Sequence, residues 1–257
     1  MALIEIRDLK KSFDGDVVLE SVDLDIEAGE ILTLIGESGS GKSVLLKMII
    51  GLISPDSGSI KFDGEEVTDL SERDWVHVRQ RIGMLFQEGA LFDSMTVADN
   101  VAYGLREQRK MPEAEIQQRV SRSLEAVSLP GIEQRQPKQL SGGMQKRVAL
   151  ARAVAMEPEI VIYDEPTEGL DPINVTRVDR LILGLRERLG ITSIIATHNM
   201  RSTFRISDRI AFIHEGRIAI CGTPQELEEW GDPSIANFVE RAHMRLPSEN
   251  SIPPPSA

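Results

Sequence analysis

Cysteine is nearly absent from this sequence, since Cys221 is the only one among 257 residues. A single cysteine cannot form a disulfide within the chain, and it cannot build the cysteine cages that hold structural zinc. The composition therefore indicates a protein of a reducing compartment, and we expect a cytosolic location.

Long hydrophobic runs are also lacking, and we expect no export signal. The most apolar stretch, VLLKMIIGL, contains Lys47 and is too short to cross a bilayer. The first residues, MALIEIRDLK, carry acidic side chains where an export signal has basic and then apolar residues, so they predict a strand. We expect any membrane role to depend on a partner.

Basic residues are in deficit, with 29 Lys and Arg against 41 Asp and Glu and a formal charge of -12. Domains that bind nucleic acid usually carry an excess of positive charge, so this balance argues against a nucleic-acid partner. The length suits one large domain. We predict that domain over residues 1–246, followed by the Pro-rich tail PSENSIPPPSA at 247–257.

What the sequence does contain is clear periodicity. Up to Gly64 apolar and polar residues mostly alternate, as at Val22, Leu24 and Ile26, which acids separate. A period of two predicts strands with one face in water. The first quarter of the chain is therefore predicted to be an antiparallel β lobe.

Three later segments, EILTLIG, EIVIYDE and TSIIATH, are continuous apolar runs. Such runs are typical of parallel strands that are buried on both faces. Helical spacing between the first two, as at Ile116, Val120 and Leu124, predicts an inserted helical lobe at about residues 88–156. The fold class is thus α/β with a mixed core sheet. Near the end, AFIHEGRIAICG predicts a hairpin, and PQELEEW and PSIANFVERAH predict short helices.

The segment GESGSGKS fits the phosphate-loop pattern G-x-x-x-x-G-K-[ST]. Its glycines allow backbone N–H groups to face a polyphosphate, and the helix that begins near Lys42 adds its positive end. A glycine-rich turn without a ligand is the alternative, but a strand before and a helix after favour nucleotide binding. The predicted nucleotide contacts are Gly36, Ser38, Gly39, Ser40, Gly41, Lys42 and Ser43. Lys42 would reach the β- and γ-phosphates, and Ser43 would bind Mg²⁺.

The strand EIVIYDEP would deliver Asp164 to the carboxyl edge of the sheet, where ligands bind in such folds. Asp164 can hold Mg²⁺ through water, and Glu165 can polarise a water that attacks the γ-phosphate. Acids commonly close strands, so this pair is informative only beside the phosphate loop.

The segment LSGGMQKR predicts another helix start, with Ser141 as its N-cap. Gly142 and Gly143 leave the first-turn N–H groups open to an anion. One nucleotide needs only one phosphate loop, however. Taken alone, this segment favours an ordinary capped helix.

Together the three segments resemble the nucleotide-binding domain of ABC transporters, over nearly the whole chain to about Glu240. The resemblance implies the P-loop ABC ATPase fold, with ATP and Mg²⁺ as ligands. It also implies a homodimer through the ATP sites, in which Ser141, Gly142 and Gly143 contact the nucleotide held by the partner subunit. The surplus helix start would thus serve the other subunit.

The resemblance assigns four further residues. Gln87 would join the Mg²⁺ and water site to the helical lobe, and His198 would contact the γ-phosphate. Asp171 in EGLDP would lie in the loop that crosses the dimer interface, and Phe13 would stack on adenine. Without the resemblance, these residues are a polar strand end, a structural histidine, a turn acid and a core aromatic.

Two residues depart from the family pattern. Met144 precedes Gln145 in the LSGGM segment, and Asn199 follows His198 where Asp is common. Neither is an obvious catalytic group, so they bear on the subfamily rather than on ATP hydrolysis.

Four segments, EGALFDSMTVADNVAYGLRE, LSGGM, GLDPI and DPSIANFVE, are similar to the ATPase of Mla/Mce-type phospholipid transporters. One departure is Gly104, where that subfamily often has Pro. The similarity implies an ATP-hydrolysing motor for phospholipid transport between the membranes of a double-membrane bacterium. The implied partners are an integral membrane permease and a membrane-anchored MCE-type protein, with the motor peripheral on the cytoplasmic face of the inner membrane.

Alternatives remain open at this level. The ATPase of a small-solute importer would share every catalytic residue, and a soluble ABC ATPase of iron–sulfur assembly type would fit the length. Leu91, Phe92 and Met95 lie in a loop-like context after Gln87 and predict a permease docking surface. They could instead attach the helical lobe to the core.

Overall fold

The computed structural model describes residues 2–107 and 111–229. This part contains ten strands and eight α-helices. The strands are β1 (Ala2–Phe13), β2 (Asp16–Glu27), β3 (Ile31–Ile35), β4 (Ser57–Phe62), β5 (Glu65–Glu66), β6 (Ile82–Leu85), β7 (Ile160–Asp164), β8 (Thr192–Ala196), β9 (Arg209–His214) and β10 (Arg217–Gly222). The helices are α1 (Lys42–Ile49), α2 (Glu72–Gln80), α3 (Val97–Glu107), α4 (Glu113–Ala126), α5 (Gly142–Val154), α6 (Pro172–Leu189), α7 (Met200–Ile206) and α8 (Pro224–Glu229).

The strands form one mixed sheet in the order β5-β4-β1-β2-β10-β9-β3-β8-β7-β6. Strands β1, β2, β4 and β5 pair antiparallel, which confirms the predicted N-terminal lobe. Strands β3, β6, β7 and β8 pair in parallel, as their apolar runs predicted. The predicted α/β class with a mixed sheet is therefore confirmed.

The late hairpin joins the two parts of the sheet. Strands β9 and β10 pair antiparallel around a turn at Glu215 and Gly216. On one side β9 lies parallel to β3, and on the other β10 meets β2 in parallel at Arg217 and Ser21. The sequence predicts this hairpin but not its position, so the continuity of the sheet is a finding of the structure.

Two apolar cores cover the two faces of the parallel strands. Every residue of β3, β7 and β8 is buried. Along β7, Val161 and Tyr163 belong to the core that contains α3 to α6, whereas Ile160 and Ile162 belong to the core that contains α1 and the β lobe. Alternate side chains of a strand face opposite sides, so coverage on both sides explains the unbroken apolar run.

Helices α3, α4 and α5 lie between β6 and β7 in the chain and confirm the inserted helical lobe. Pro112 precedes α4, and the predicted residues Ile116, Val120 and Leu124 are buried on it. The boundaries given above, 88–156 and 1–246, stay predictions. The predicted helix PSIANFVERAH and the Pro-rich tail lie outside the described residues. In the described ranges, no helix has both the length and the apolar character that a membrane crossing requires.

Candidate ATP site

The phosphate loop connects β3 to α1, as predicted. Gly39 and Gly41 have φ values of 83° and 97°, which glycine adopts readily. At Gly41 a Cβ atom would lie 2.6 Å from Leu19 Cδ2, so a side chain there would have to displace Leu19. No side chain caps the start of α1, which follows Gly41 directly. The first-turn N–H groups of this helix are thus suited to bind an anion.

Lys42 lies across the loop as a buried cation. Its Nζ donates to the carbonyl oxygens of Gly36 and Glu37, both at 2.9 Å. Burial lowers the pKa of Lys42, while the charges of Glu165 and Asp164 oppose that shift. An ammonium that is held by carbonyl groups can exchange these bonds for phosphate oxygens when a nucleotide binds.

Ser43 and Asp164 meet between the phosphate loop and the end of β7. The Ser43 hydroxyl donates to Asp164 Oδ1 at 2.9 Å. Burial raises the pKa of Asp164, and the hydrogen bond from Ser43 partly offsets the effect. Mg²⁺ prefers oxygen ligands and usually takes only one or two from the protein, together with phosphate and water. These two residues fit that requirement.

Glu165 follows directly and has a left-handed backbone with a φ of 47°. Its Oε2 accepts a hydrogen bond from the Thr197 hydroxyl at 3.0 Å, and its Oε1 lies 3.0 Å from His198 Nδ1. Non-glycine residues rarely adopt this backbone region, and such residues cluster at functional sites. The structure thus brings together Glu165 and His198, which the sequence placed on separate strands.

Gln87 lies just beyond β6, and its Nε2 donates to Glu168 Oε2 at 2.6 Å. The backbone oxygen of Glu168 also accepts from Lys146 Nζ at 2.6 Å, and Lys146 reaches the Glu165 oxygen at 3.2 Å. Glu168 therefore connects the loop after β6 with the loop after β7. Glu168 could not be recognised from the sequence, because an exposed acid in a turn belongs to no motif.

The LSGGM segment and the EGLDP segment lie side by side at the starts of α5 and α6. Ser141 Oγ accepts from the N–H of Met144 at 3.3 Å, as the predicted N-cap. A Cβ atom on Gly143 would lie 3.3 Å from Asn174 Cγ, so the two helix starts touch. Asp171 Oδ1 accepts from the N–H groups of Ile173 and Asn174 at 3.0 Å and caps α6.

These helix starts are separate from the phosphate loop of their own chain. Across residues 2–107 and 111–229, no hydrogen bond or ion pair joins Ser141, Gly142 or Asp171 to residues 36–43. The N–H bonds that hold Asp171 also lower the pKa of its carboxyl group. A second copy of the chain would have to supply the contact that the family resemblance implies.

Phe13 ends β1 and is 42% exposed, so it is not a core residue. Lys11 Nζ lies 5.3 Å from the centre of the Phe13 ring. An exposed ring beside a cation offers a stacking surface to a base.

Asn199 shows how the departure from Asp is accommodated. Its Oδ1 accepts from the N–H of Ser202 at 3.1 Å and caps α7, as an aspartate would. Its Nδ2 also donates to the Thr167 hydroxyl at 3.3 Å, which an ionised aspartate cannot do. The substitution keeps the helix cap and adds a contact to the loop after β7.

Comparison with known proteins agrees with this geometry, because the family model described as ABC transporter matches residues 19–168. The chain belongs to the ABC transporter family. It is 40% identical over 238 residues to the intermembrane phospholipid transport system ATP-binding protein MlaF of Haemophilus influenzae, covering 93% of this chain and 90% of that protein. It is 39% identical to the probable ribonucleotide transport ATP-binding protein mkl of Mycobacterium leprae, covering 92% of this chain and 68% of mkl.

A solved structure shows the same fold in this ABC transporter family. The dimeric, post-hydrolysis ATP-binding cassette MJ0796, bound to ADP and Pi, matches with a TM-score of 0.80 at 30% identity, covering 86% of this chain and 98% of that one. The chain is accordingly an ABC ATPase subunit that binds ATP. It has the nucleotide-binding fold that the resemblance implied.

Proposed function

We propose that this ABC ATPase drives phospholipid transport between the two membranes of a double-membrane bacterium. The observation that carries the proposal is the match to MlaF, which spans 93% of this chain and 90% of MlaF. A match of that extent includes the surface loops as well as the ATP site. Loops on a common scaffold usually determine which partner a protein serves.

Within the ATP site we assign roles by geometry. Lys42 and the N–H groups at the start of α1 bind the phosphates, together with Gly36, Ser38, Gly39, Ser40, Gly41 and Ser43 of the loop. Glu165 acts as the general base toward the attacking water, and His198 contacts the γ-phosphate. The Thr197 hydroxyl and the His198 ring hold the Glu165 carboxylate in place.

Ser43 and Asp164 would hold Mg²⁺, and Gln87 would join them after release from Glu168. When bound, the cation neutralises charge on the β- and γ-phosphates. Phe13 would stack on adenine from the end of β1. In the structure Ser43 donates to Asp164, and Gln87 donates to Glu168.

We assign the starts of α5 and α6 to a second copy of the chain. Ser141, Gly142 and Gly143 would meet the partner's nucleotide, and Asp171 would lie at the same interface. The dimeric state of MJ0796 supports this arrangement. ATP binding would close the dimer, and hydrolysis would let the subunits separate.

The loop after Gln87 supplies a surface for a membrane partner. Phe92 is 41% exposed and Tyr103 on α3 is 40% exposed, and their ring centres lie 4.8 Å apart. Arg152 lies 5.9 Å from the Phe92 ring. A pair of exposed aromatic rings with a neighbouring cation is typical of an interface anchor. This surface supports the proposal that the protein is a peripheral motor, bound to a permease on the cytoplasmic face of the inner membrane.

The test is isolation of the protein from its native membrane in mild detergent, followed by mass spectrometry of what co-purifies. A multi-span permease together with an MCE-type lipid-binding protein is the expected result. Recovery with companions that have no membrane span would overturn the assignment to transport and would favour an iron–sulfur assembly role.

A second candidate is transport of a polar solute. The observation that favours it is 39% identity to mkl, whose name assigns it to ribonucleotide transport. Every residue of the ATP site would keep its role in that case. Co-purification of a permease with a soluble solute receptor would select this candidate over phospholipid transport.

A further inference from the structure

Asp179 is a fully buried acid on α6 that the ATP site does not use. Its relative exposure is 0%. Oδ2 accepts from the Ser202 hydroxyl at 3.1 Å and from Arg205 at 3.0 Å, and both donors lie on α7. Asp179 therefore connects α6, which Asp171 caps, to α7, which follows His198 and Asn199.

The other oxygen of Asp179 lacks such a partner. Among the described residues, Oδ1 is buried and has no hydrogen-bond partner. Buried polar atoms nearly always have one, from the protein or from an ordered water. Burial raises the pKa of Asp179, and the hydrogen bond from Ser202 and the charge of Arg205 partly offset this shift. The side chain thus lies in an environment where a further donor would be stabilising.

A small cavity of about 10 Å³ lies beside this carboxylate. Besides Asp179 and apolar groups, five threonine and serine residues line it, namely Thr33, Thr167, Thr197, Ser202 and Thr203. A cavity of roughly 10–15 Å³ can hold one water molecule when two to four polar groups surround it. Both the size and the lining suit a single water.

The cavity wall is also the support of the ATP site. Thr197 donates to the Glu165 carboxylate, and Thr167 accepts from Asn199 next to His198. Both residues contact the site on one side and line the cavity on the other. A displacement of either would move Glu165 or His198.

From this geometry we infer that Asp179 and one water bound in the cavity form a positioning element that holds the His198 loop against the loop after β7. Asp179 is a positioning residue, because it acts through Thr167, Thr197 and α7 rather than on ATP. The inference rests on the role proposed for His198. It predicts that Asp179 affects turnover and leaves nucleotide affinity unchanged.

The test compares Asp179→Leu with Asp179→Asn in the full-length chain, alone or in the assembly with which it purifies. Leucine has a similar size but no hydrogen bonds, so kcat should fall about tenfold, since small misplacements in active sites have effects of this order or larger. The KM for ATP should stay unchanged. Asparagine can accept from Ser202 and bind the water, so it should retain most of the turnover. A normal kcat in Asp179→Leu, or an equal loss in both variants, would overturn the inference.

Two further measurements keep the result unambiguous. Thermal melting shows whether Asp179→Leu fails to fold. If it does, Ser202→Ala replaces it as the probe, and we expect a loss of kcat at constant KM. Normal kinetics in Ser202→Ala would contradict the inference. A high-resolution crystal structure should show the water beside Asp179 Oδ1, and a dry cavity would contradict the inference. His198→Ala is measured in parallel. Normal ATP hydrolysis in His198→Ala would overturn the role of His198 itself. Loss of hydrolysis in His198→Ala together with normal hydrolysis in Asp179→Leu would overturn only the role of Asp179.

Discussion

Glu165 combines a left-handed backbone with two side-chain partners at 3.0 Å. Its φ of 47° directs the chain away from β7 immediately after Asp164. Neighbouring carboxylates thus face different partners, Ser43 for Asp164 and Thr197 for Glu165. In the proposed site, this separation would let two adjacent acids perform different tasks.

Glu165→Gln tests the general base. Glutamine keeps the size of the side chain and can accept from Thr197, so ATP binding should persist. Hydrolysis should fall about 100-fold or more, because general-base catalysis contributes at least that much, and the ATP-bound dimer should accumulate. Steady-state ATPase rates and size-exclusion chromatography with ATP measure both effects. Glu187→Gln, an exposed acid on α6, is the matched control. Normal turnover in Glu165→Gln would remove Glu165 from this role.

Glu168→Ala tests the contact that holds Gln87. Gln87 donates to Glu168 at 2.6 Å, and in the proposed site it would exchange that bond for the nucleotide. Removal of this exposed charged acceptor should lower the KM for ATP about threefold, because the net free-energy contribution of one hydrogen bond is small. The kcat should not change. ATPase rates measured over a range of ATP concentrations give the KM of Glu168→Ala and of the control Glu187→Ala, which loses the same charge elsewhere. Equal KM values in the two variants would contradict the proposed exchange at Gln87.

At the scale of elements, the start of α5 has two separable functions. Ser141 caps the helix and, in the proposed dimer, also faces the partner's nucleotide. Ser141→Arg should abolish ATP-driven dimerisation through bulk and charge, while nucleotide binding in its own site stays normal. Loss of the cap alone costs about 1 kcal/mol.

Ser71 provides the matched control for that prediction. It caps α2 with the same hydrogen-bond length, 3.3 Å to Asp74 N–H, away from the proposed interface. Ser71→Arg should match the loss of stability and retain dimerisation, as measured by urea denaturation and analytical ultracentrifugation. If Ser141→Arg lost ATP binding and kept dimerisation, the assignment to the partner's site would be wrong.

The turn after α1 depends on a glycine for two reasons. Gly51 has a φ of 66°, and a Cβ atom there would lie 2.2 Å from the Trp75 ring. Gly64 has a φ of 80° but open space around it. Gly64→Ala should therefore cost about 1 kcal/mol from backbone strain alone, and Gly51→Ala about 3 kcal/mol because the indole must also move. Urea denaturation of both variants measures the difference, and equal losses would rule out the clash with Trp75.

Much of this could be predicted from the sequence, because periodicity and the phosphate-loop pattern are local signals. The buried strands, the helix from Lys42 and the Ser141 cap follow from residues close together in the chain. The contact of Gln87 with Glu168 and the buried Asp179 could not be predicted. Both join residues that are more than twenty positions apart, and neither residue type is distinctive alone. The interface roles of Ser141 and Asp171 came from family resemblance and stay proposals.

At the scale of the whole molecule, one continuous sheet carries the proposed ATP site, and α3, α4 and α5 share an apolar core with it. Gln87 and Arg152 hold the loop that runs from the sheet to these helices. Gln87 contacts Glu168 after β7, and Arg152 on α5 donates to the carbonyl oxygens of Gly89 and Ala90 at 2.9 and 2.7 Å. The loop with Phe92 is thus connected to the ATP site at one end and to α5 at the other. Gln87 and Phe92 lie in the same loop. A movement of Gln87 can therefore be transmitted along the backbone to this surface.

Phe92→Asp tests whether that surface binds the membrane partner. The ring is 41% exposed and packs against Tyr103, so its loss should leave the fold intact. An interface with the permease that buries this position would not tolerate the charge of the aspartate. We expect co-purification of the permease to fall at least tenfold, with ATP binding unchanged. Val76→Asp introduces the same charge at a residue of similar exposure, 49%, on α2 and serves as the control. Equal recovery of the permease with both variants would show that the aromatic pair does not bind the partner and would move the docking site elsewhere on the chain.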